Sequence, residues 1–133
     1  MNSHSFNDNI EYPSTLTVAP LQAPLNATLS IPGSKSITNR AFILAALAKG
    51  PSILSGALFS EDTYFMSQAI RSLGIEVESD LETSKFVIQG CNGNIPSKAA
   101  EIFIGNSGTS ARFLTAFVAL GNGTFQIDGI QRM

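Results

Sequence analysis

A chain of 133 residues, 44% of them hydrophobic and 14% charged, has the size of one domain and enough apolar material for a core, which excludes a disordered polypeptide. Its net charge of −2, with no basic block, excludes a nucleic-acid footprint, so any anion site must be built locally from a few residues. A single cysteine, Cys91, excludes an internal disulfide and suits a reducing compartment, while the longest purely apolar run, Ala41 to Ala48, is too short to span a membrane.

The start, MNSHSFNDNIEYPS, has no secretory or transit pattern. It reads as a flexible lead, and the protein is expected in the cytoplasm. The only histidine, His4, lies in this lead, far in sequence from Cys91, so no metal or Cys/His chemistry is expected. Thr15–Val18 alternates weakly and reads as a short strand, leaving residues 1–24 as lead plus strand. Asn26–Ile31 sets Ala27, Leu29 and Ile31 against Thr28 and Ser30, the pattern of a half-buried strand.

Pro32-Gly33 breaks that pattern. Ser36 is the expected N-cap of a helix from Ile37 to Ala48, whose apolar residues recur at Ile37, Ala41, Leu44, Ala45 and Ala48. Gly50-Pro51 stops it, and Ser52–Leu58 reads as a strand. Ser60 caps the next helix, with Glu61 and Asp62 in its first turn, where carboxylates favour the positive helix end. Phe65, Met66, Ala69, Ile70 and Leu73 form its buried stripe, and Gly74 ends it. Ile75–Ser79 and Lys85–Gln89 are two further strands around an acidic turn. Six acids between Glu61 and Glu82, against Arg71 as the single base, read mainly as a solvated face.

The order βαβαββ then begins again. Glu101–Ile104 is a strand, GNSGTS (Gly105–Ser110) a polar turn, Ala111–Leu120 a helix and Thr124–Ile127 a strand. Residues 25–90 thus form one unit and 91–133 the start of a second, which marks the chain as a piece of a longer repeated architecture.

Both units place a small polar turn between a strand and a helix start, where free N–H groups and the helix dipole attract anions. The first turn adds Lys35 as a point charge and Arg40 as a planar fork; the second adds Arg112, and Arg132 follows the next strand. Neither turn is a Walker A loop, because Ser34 separates Gly33 from Lys35 and the second turn has no lysine. GNSGTS also lacks the G-x-G spacing of a dinucleotide fingerprint. Two anionic groups, rather than a nucleotide, are the expected ligands.

LNATLSIPGSKSITNRAFILAALAKG, EDT, GNSGTSARF and DGIQRM, in that order, resemble the N-terminal third of the 5-enolpyruvylshikimate-3-phosphate synthases. The resemblance implies an α/β fold of six βαβαββ units in two domains, of which this chain holds one complete unit and part of a second. The implied reaction moves the carboxyvinyl group of phosphoenolpyruvate onto the 5-hydroxyl of 3-phosphoshikimate, with no metal or organic cofactor. By the same resemblance Lys35 touches both substrates, Ser36 and Arg40 hold 3-phosphoshikimate, and Gly108 and Arg132 hold phosphoenolpyruvate. Asp62, Asn106 and Thr109 occupy supporting positions, and Arg112 orients the second turn. Phe113 departs from the proline that many members carry there, which bears on the turn's shape and on sensitivity to glyphosate, an occupant of the phosphoenolpyruvate site in that family. Two rival readings are the sister UDP-N-acetylglucosamine enolpyruvyl transferases, whose first turn reads Ser-Gly-Ala-Lys-Asn, and a non-catalytic anion-binding module. The expected partners are the two small-molecule substrates and the remaining C-terminal portion of the same enzyme.

Overall fold

The computed structural model describes residues 13–133, so the expected lead falls largely outside the described residues. Two compact units divide the chain, Met1–Ile31 and Pro32–Met133. In the first, residues 13–31 carry no helix or strand. The strands expected at Thr15–Val18 and Asn26–Ile31 are therefore absent, and Leu29 and Ile31 are exposed. Alternation makes a face that a sheet could bury, but a strand exists only where a neighbour takes its N–H and C=O groups. No described strand pairs with this segment.

The second unit opens with helix α1, Lys35–Leu47. Its N-cap is Ser34 rather than the expected Ser36: the Ser34 Oγ accepts from the Ile37 N–H at 3.4 Å. The helix starts two residues earlier than a Ser36 cap requires, so Lys35 and Ser36 already lie in its first turn. Strand β1 follows at once, Lys49–Ser55, and includes the Gly50-Pro51 pair expected to separate it from the helix. Proline is tolerated there because β1 is an edge strand, and its missing N–H faces no partner.

Helix α2, Glu61–Ser72, starts with a capping box in which Ser60 and Thr63 bond reciprocally, and ends at Gly74 with φ of 83°. Strands β2 (Val77–Asp80) and β3 (Lys85–Cys91) form a hairpin, and β1 pairs antiparallel with β3 to give a sheet of order β1-β3-β2. Strand β4 (Ala99–Phe103), helix α3 (Gly108–Val118) and strand β5 (Thr124–Asp128) make a parallel βαβ crossover. The order is αβαββ followed by βαβ, a mixed α/β fold.

Each helix buries one stripe: Phe42 and Ala46 on α1, Met66 and Ile70 on α2, Leu114 and Phe117 on α3. Phe86 of β3 sits at the centre, edge-on to Phe42 at 4.7 Å and stacked on Phe59 at 4.2 Å. Fully burying a large side chain such as Phe42, Met66 or Leu114 contributes roughly 1.5–3 kcal/mol. Arg71, the single base among the six acids, latches α2 to the next strand. Its Nε and Nη2 both donate to the Val77 carbonyl, at 2.9 and 2.8 Å.

Candidate functional site

The three buried stripes change character at the helix starts. Above the apolar positions lie Asn39 on α1, Thr63 on α2, and Ser107 and Ser110 on α3, all buried. Polar residues there satisfy the free N–H groups of each first turn: Ser34, Ser60 and Ser107 accept from backbone N–H groups three residues on.

Asp62 ties the three starts together. Its Oδ2 lies 3.2 Å from Lys35 Nζ and accepts from the Ser107 hydroxyl at 2.9 Å. Ser107 Oγ is in turn 2.8 Å from Ser110 Oγ. The first residue of α1, the second of α2 and the N-cap of α3 thus converge on one carboxylate. Three positive helix ends and a lysine meet there. Lys35 remains about half exposed, so an incoming anion can reach it.

Arg40 extends along α1 toward the same end. Its Nη1 donates to the Ser36 carbonyl at 2.9 Å, and its guanidinium carbon stands 5.5 Å from the centre of the Phe113 ring on α3. Ser36 is half-buried. Arg112 and Arg132 are exposed, on α3 and just past β5, with no hydrogen bond or ion pair among the described residues. Asn106 is exposed and Thr109 half-buried, flanking Ser107 and Gly108. The structure therefore brings Lys35, Asp62 and Ser107 into contact and joins Arg40 to the second turn through Phe113. It gives Arg132 no contact with them.

The glycines of the two turns differ in purpose. A Cβ on Gly33 would stand 2.2 Å from the Gly56 carbonyl oxygen, so close backbone packing excludes any side chain there. Gly105 has φ of 58°, and a Cβ would strike the Phe65 ring at 2.3 Å. Gly108 meets nothing within 4 Å and has no positive φ. The protein's own packing requires the first two; only Gly108 presents bare backbone to open space at a helix start.

Reading the sequence missed Ser107 and Ser110. The available signal was the Ser-x-x-Ser spacing at a helix start, the mark of a cap whose oxygen can also bond sideways. Among the described residues no group of three or more His, Cys, Asp or Glu could hold a metal ion, and no helix is long and apolar enough to cross a membrane.

The sequence model of the family described as EPSP synthase (3-phosphoshikimate 1-carboxyvinyltransferase) matches residues 20–133. The 3-phosphoshikimate 1-carboxyvinyltransferase of Trichormus variabilis is 48% identical over 119 residues, covering 90% of this chain and 28% of that protein. The protein of the same name from Rhizobium etli is 48% identical over 118 residues, covering 89% and 28%. The solved structure of EPSP synthase from Acinetobacter baumannii superposes with a TM-score of 0.64 at 28% identity, covering 77% of this chain and 23% of that one. The chain thus spans about a quarter of the length of these relatives.

Proposed function

Because the chain belongs to the EPSP synthase family, we propose that it contributes one wall of a site that transfers the enolpyruvyl group of phosphoenolpyruvate to the 5-hydroxyl of 3-phosphoshikimate, releasing phosphate. The observation that carries this reading is the convergence of three helix starts on Lys35, Asp62 and Ser107. Both substrates are polyanions, and joining them requires fixed cations and N–H donors at one point.

In this reading Lys35 lies between the substrates, while Ser36 and Arg40 hold the phosphorylated cyclohexene. Gly108 offers its backbone to phosphoenolpyruvate, and Arg132 forms a salt bridge to it. Asn106 and Thr109 shape the second turn around Gly108. The 5-hydroxyl oxygen bonds to C2 of phosphoenolpyruvate as a proton reaches C3. The tetrahedral adduct then loses phosphate together with a proton from C3. Lys35 offsets the negative charge of both anions and relays protons in these two steps. Asp62 holds the ammonium group in place until substrate draws it outward. The remaining wall comes from portions of the enzyme outside this chain, and the reaction runs in the cytoplasm.

Calorimetric titration of the enzyme that carries this chain with 3-phosphoshikimate, followed by a phosphate-release assay with both substrates, tests the proposal. Binding followed by release of one phosphate per product supports it. Binding without release would leave a non-catalytic anion-binding module as the better description.

A further inference from the structure

We propose that Phe113 is a positioning residue for Arg40, and so sets the affinity for the phosphorylated co-substrate independently of phosphoenolpyruvate. This rests on the assignment of Arg40 to 3-phosphoshikimate given above.

Phe113 lies beside the buried stripe of α3, not in it. Ser110, Leu114 and Phe117 are buried, whereas Phe113 is half-buried and does not belong to the hydrophobic core cluster or to the partly buried residues packed on it. Core packing therefore does not account for an aromatic ring at this place. Its ring faces a cation instead, with the Arg40 guanidinium carbon 5.5 Å from the ring centre, within the range of attraction to the ring's negative face.

Arg40 is otherwise a long exposed side chain with many rotamers. Two contacts narrow them. The bond from Nη1 to the Ser36 carbonyl draws the guanidinium back toward the first turn of α1, and the Phe113 ring fixes its face from α3. One of five N–H donors is used on Ser36, which leaves four for a ligand. A planar fork held from two sides before the ligand arrives loses less freedom on binding. The contact also joins the two repeated units, because Arg40 belongs to the first turn's helix and Phe113 to the second's. A non-aromatic side chain at position 113 would offer the cation no ring face.

The test is a double-mutant cycle in the enzyme that carries this chain, with Phe113→Leu, Phe113→Tyr, Arg40→Ala and the Phe113→Leu/Arg40→Ala pair. Steady-state kinetics give a Michaelis constant for each substrate. Phe113→Leu should raise that for 3-phosphoshikimate about two- to five-fold without moving that for phosphoenolpyruvate. Phe113→Tyr, which keeps the ring, should restore the parent value. With Arg40 replaced by alanine, Phe113→Leu should have no further effect. An equal rise for both substrates, or a Phe113→Leu effect that persists without Arg40, overturns the proposal. Should Arg40→Ala itself leave 3-phosphoshikimate binding unchanged, the substrate assignment fails and Phe113's role falls with it, a result distinct from the first two. Leucine variants that unfold are recognised by their thermal midpoints, and Phe113→Met then repeats the comparison with a flexible apolar side chain.

Discussion

Lys35 and Asp62 form an ion pair at 3.2 Å that joins the first residue of α1 to the second residue of α2. Half-exposed pairs of this kind contribute little to stability, because solvent screens them and two long side chains must be held still. The pair's consequence is positional: it keeps the ammonium group at the point where three helix starts meet. Ser107, bonded to the same Asp62 oxygen, fixes the carboxylate from the third side.

Lys35→Met in the enzyme that carries this chain should therefore cost turnover, not folding. Loss of a charge contact made in the transition state commonly lowers kcat by ~10²–10³. Thermal melting should show little change, since the screened pair is all that is lost from the fold. A methionine variant with more than half the parent turnover would remove Lys35 from the reaction.

Arg40→Ala and Arg132→Ala should separate the two substrates. The first should raise the Michaelis constant for 3-phosphoshikimate far more than that for phosphoenolpyruvate, and the second should do the reverse. Arg132 has no bond among the described residues, so its alanine variant should also leave the melting temperature unaltered. Equal effects of both variants on both substrates would contradict the division.

Where sequence and structure agree, the signal was local. Ser60 with acids behind it, Gly74 after a helical stripe, and the hairpin strands around an acidic turn are each decided within a few residues. Boundaries moved where tertiary context chose between local options. Pro51 entered a strand because that strand is an edge, and the α1 cap shifted from Ser36 to Ser34. Residues 26–31 have a strand's pattern without a strand's partner, a property that no local pattern contains. In the site, Lys35, Arg40 and Gly108 were legible as cations and bare backbone beside helix starts. That Asp62 would bind Ser107, 45 residues away, and that Phe113 would meet Arg40, were not, because both depend on how three helices dock.

Gly33→Ala and Gly108→Ala should differ in kind. Alanine at 33 forces a methyl group to within 2.2 Å of a backbone oxygen, and overpacking of this sort costs about 1–3 kcal/mol. Alanine at 108 meets nothing within 4 Å in the protein, so denaturation should be near parental. On the proposed assignment its methyl group would instead intrude on phosphoenolpyruvate, raising the Michaelis constant for that substrate and weakening inhibition by glyphosate. If phosphoenolpyruvate use and inhibition both survive Gly108→Ala, Gly108 does not line that site.

Asp80 provides a pH-dependent test of the hairpin. Hydrogen bonds from the Thr83 hydroxyl and backbone N–H, with a further bond from the Glu82 N–H, hold its carboxyl below the ordinary aspartate value. A lowered folded value means the contribution is present above the unfolded value and is lost as pH falls through the folded one. Thr83→Val should therefore destabilise the protein slightly at neutral pH. The difference from the parent should shrink on acidification through the carboxylate range, about pH 4 and below. A difference that stayed constant across that range would show that the hydroxyl acts by packing alone.

Asn39 should yield the opposite of the usual core mutation. It is fully buried on α1, in line with Phe42 and Ala46, and neither its amide nitrogen nor its amide oxygen has a hydrogen-bond partner among the described residues. A buried polar group without a partner costs about 1–3 kcal/mol relative to one that is satisfied. Leucine has nearly the same reach, removes both polar atoms, and is the better helix former. Asn39→Leu should thus raise the melting temperature of this chain, by roughly 4–8 °C for each kcal/mol recovered in a domain of about 100 residues. Asn39→Asp should lower it, because a carboxylate would be buried without a counter-charge. Differential scanning calorimetry of the two variants decides the matter. A leucine variant that melts several degrees below the parent would show that the amide is bonded in solution, to water or to another part of the enzyme, and that the polar layer beneath Lys35 is complete without leucine.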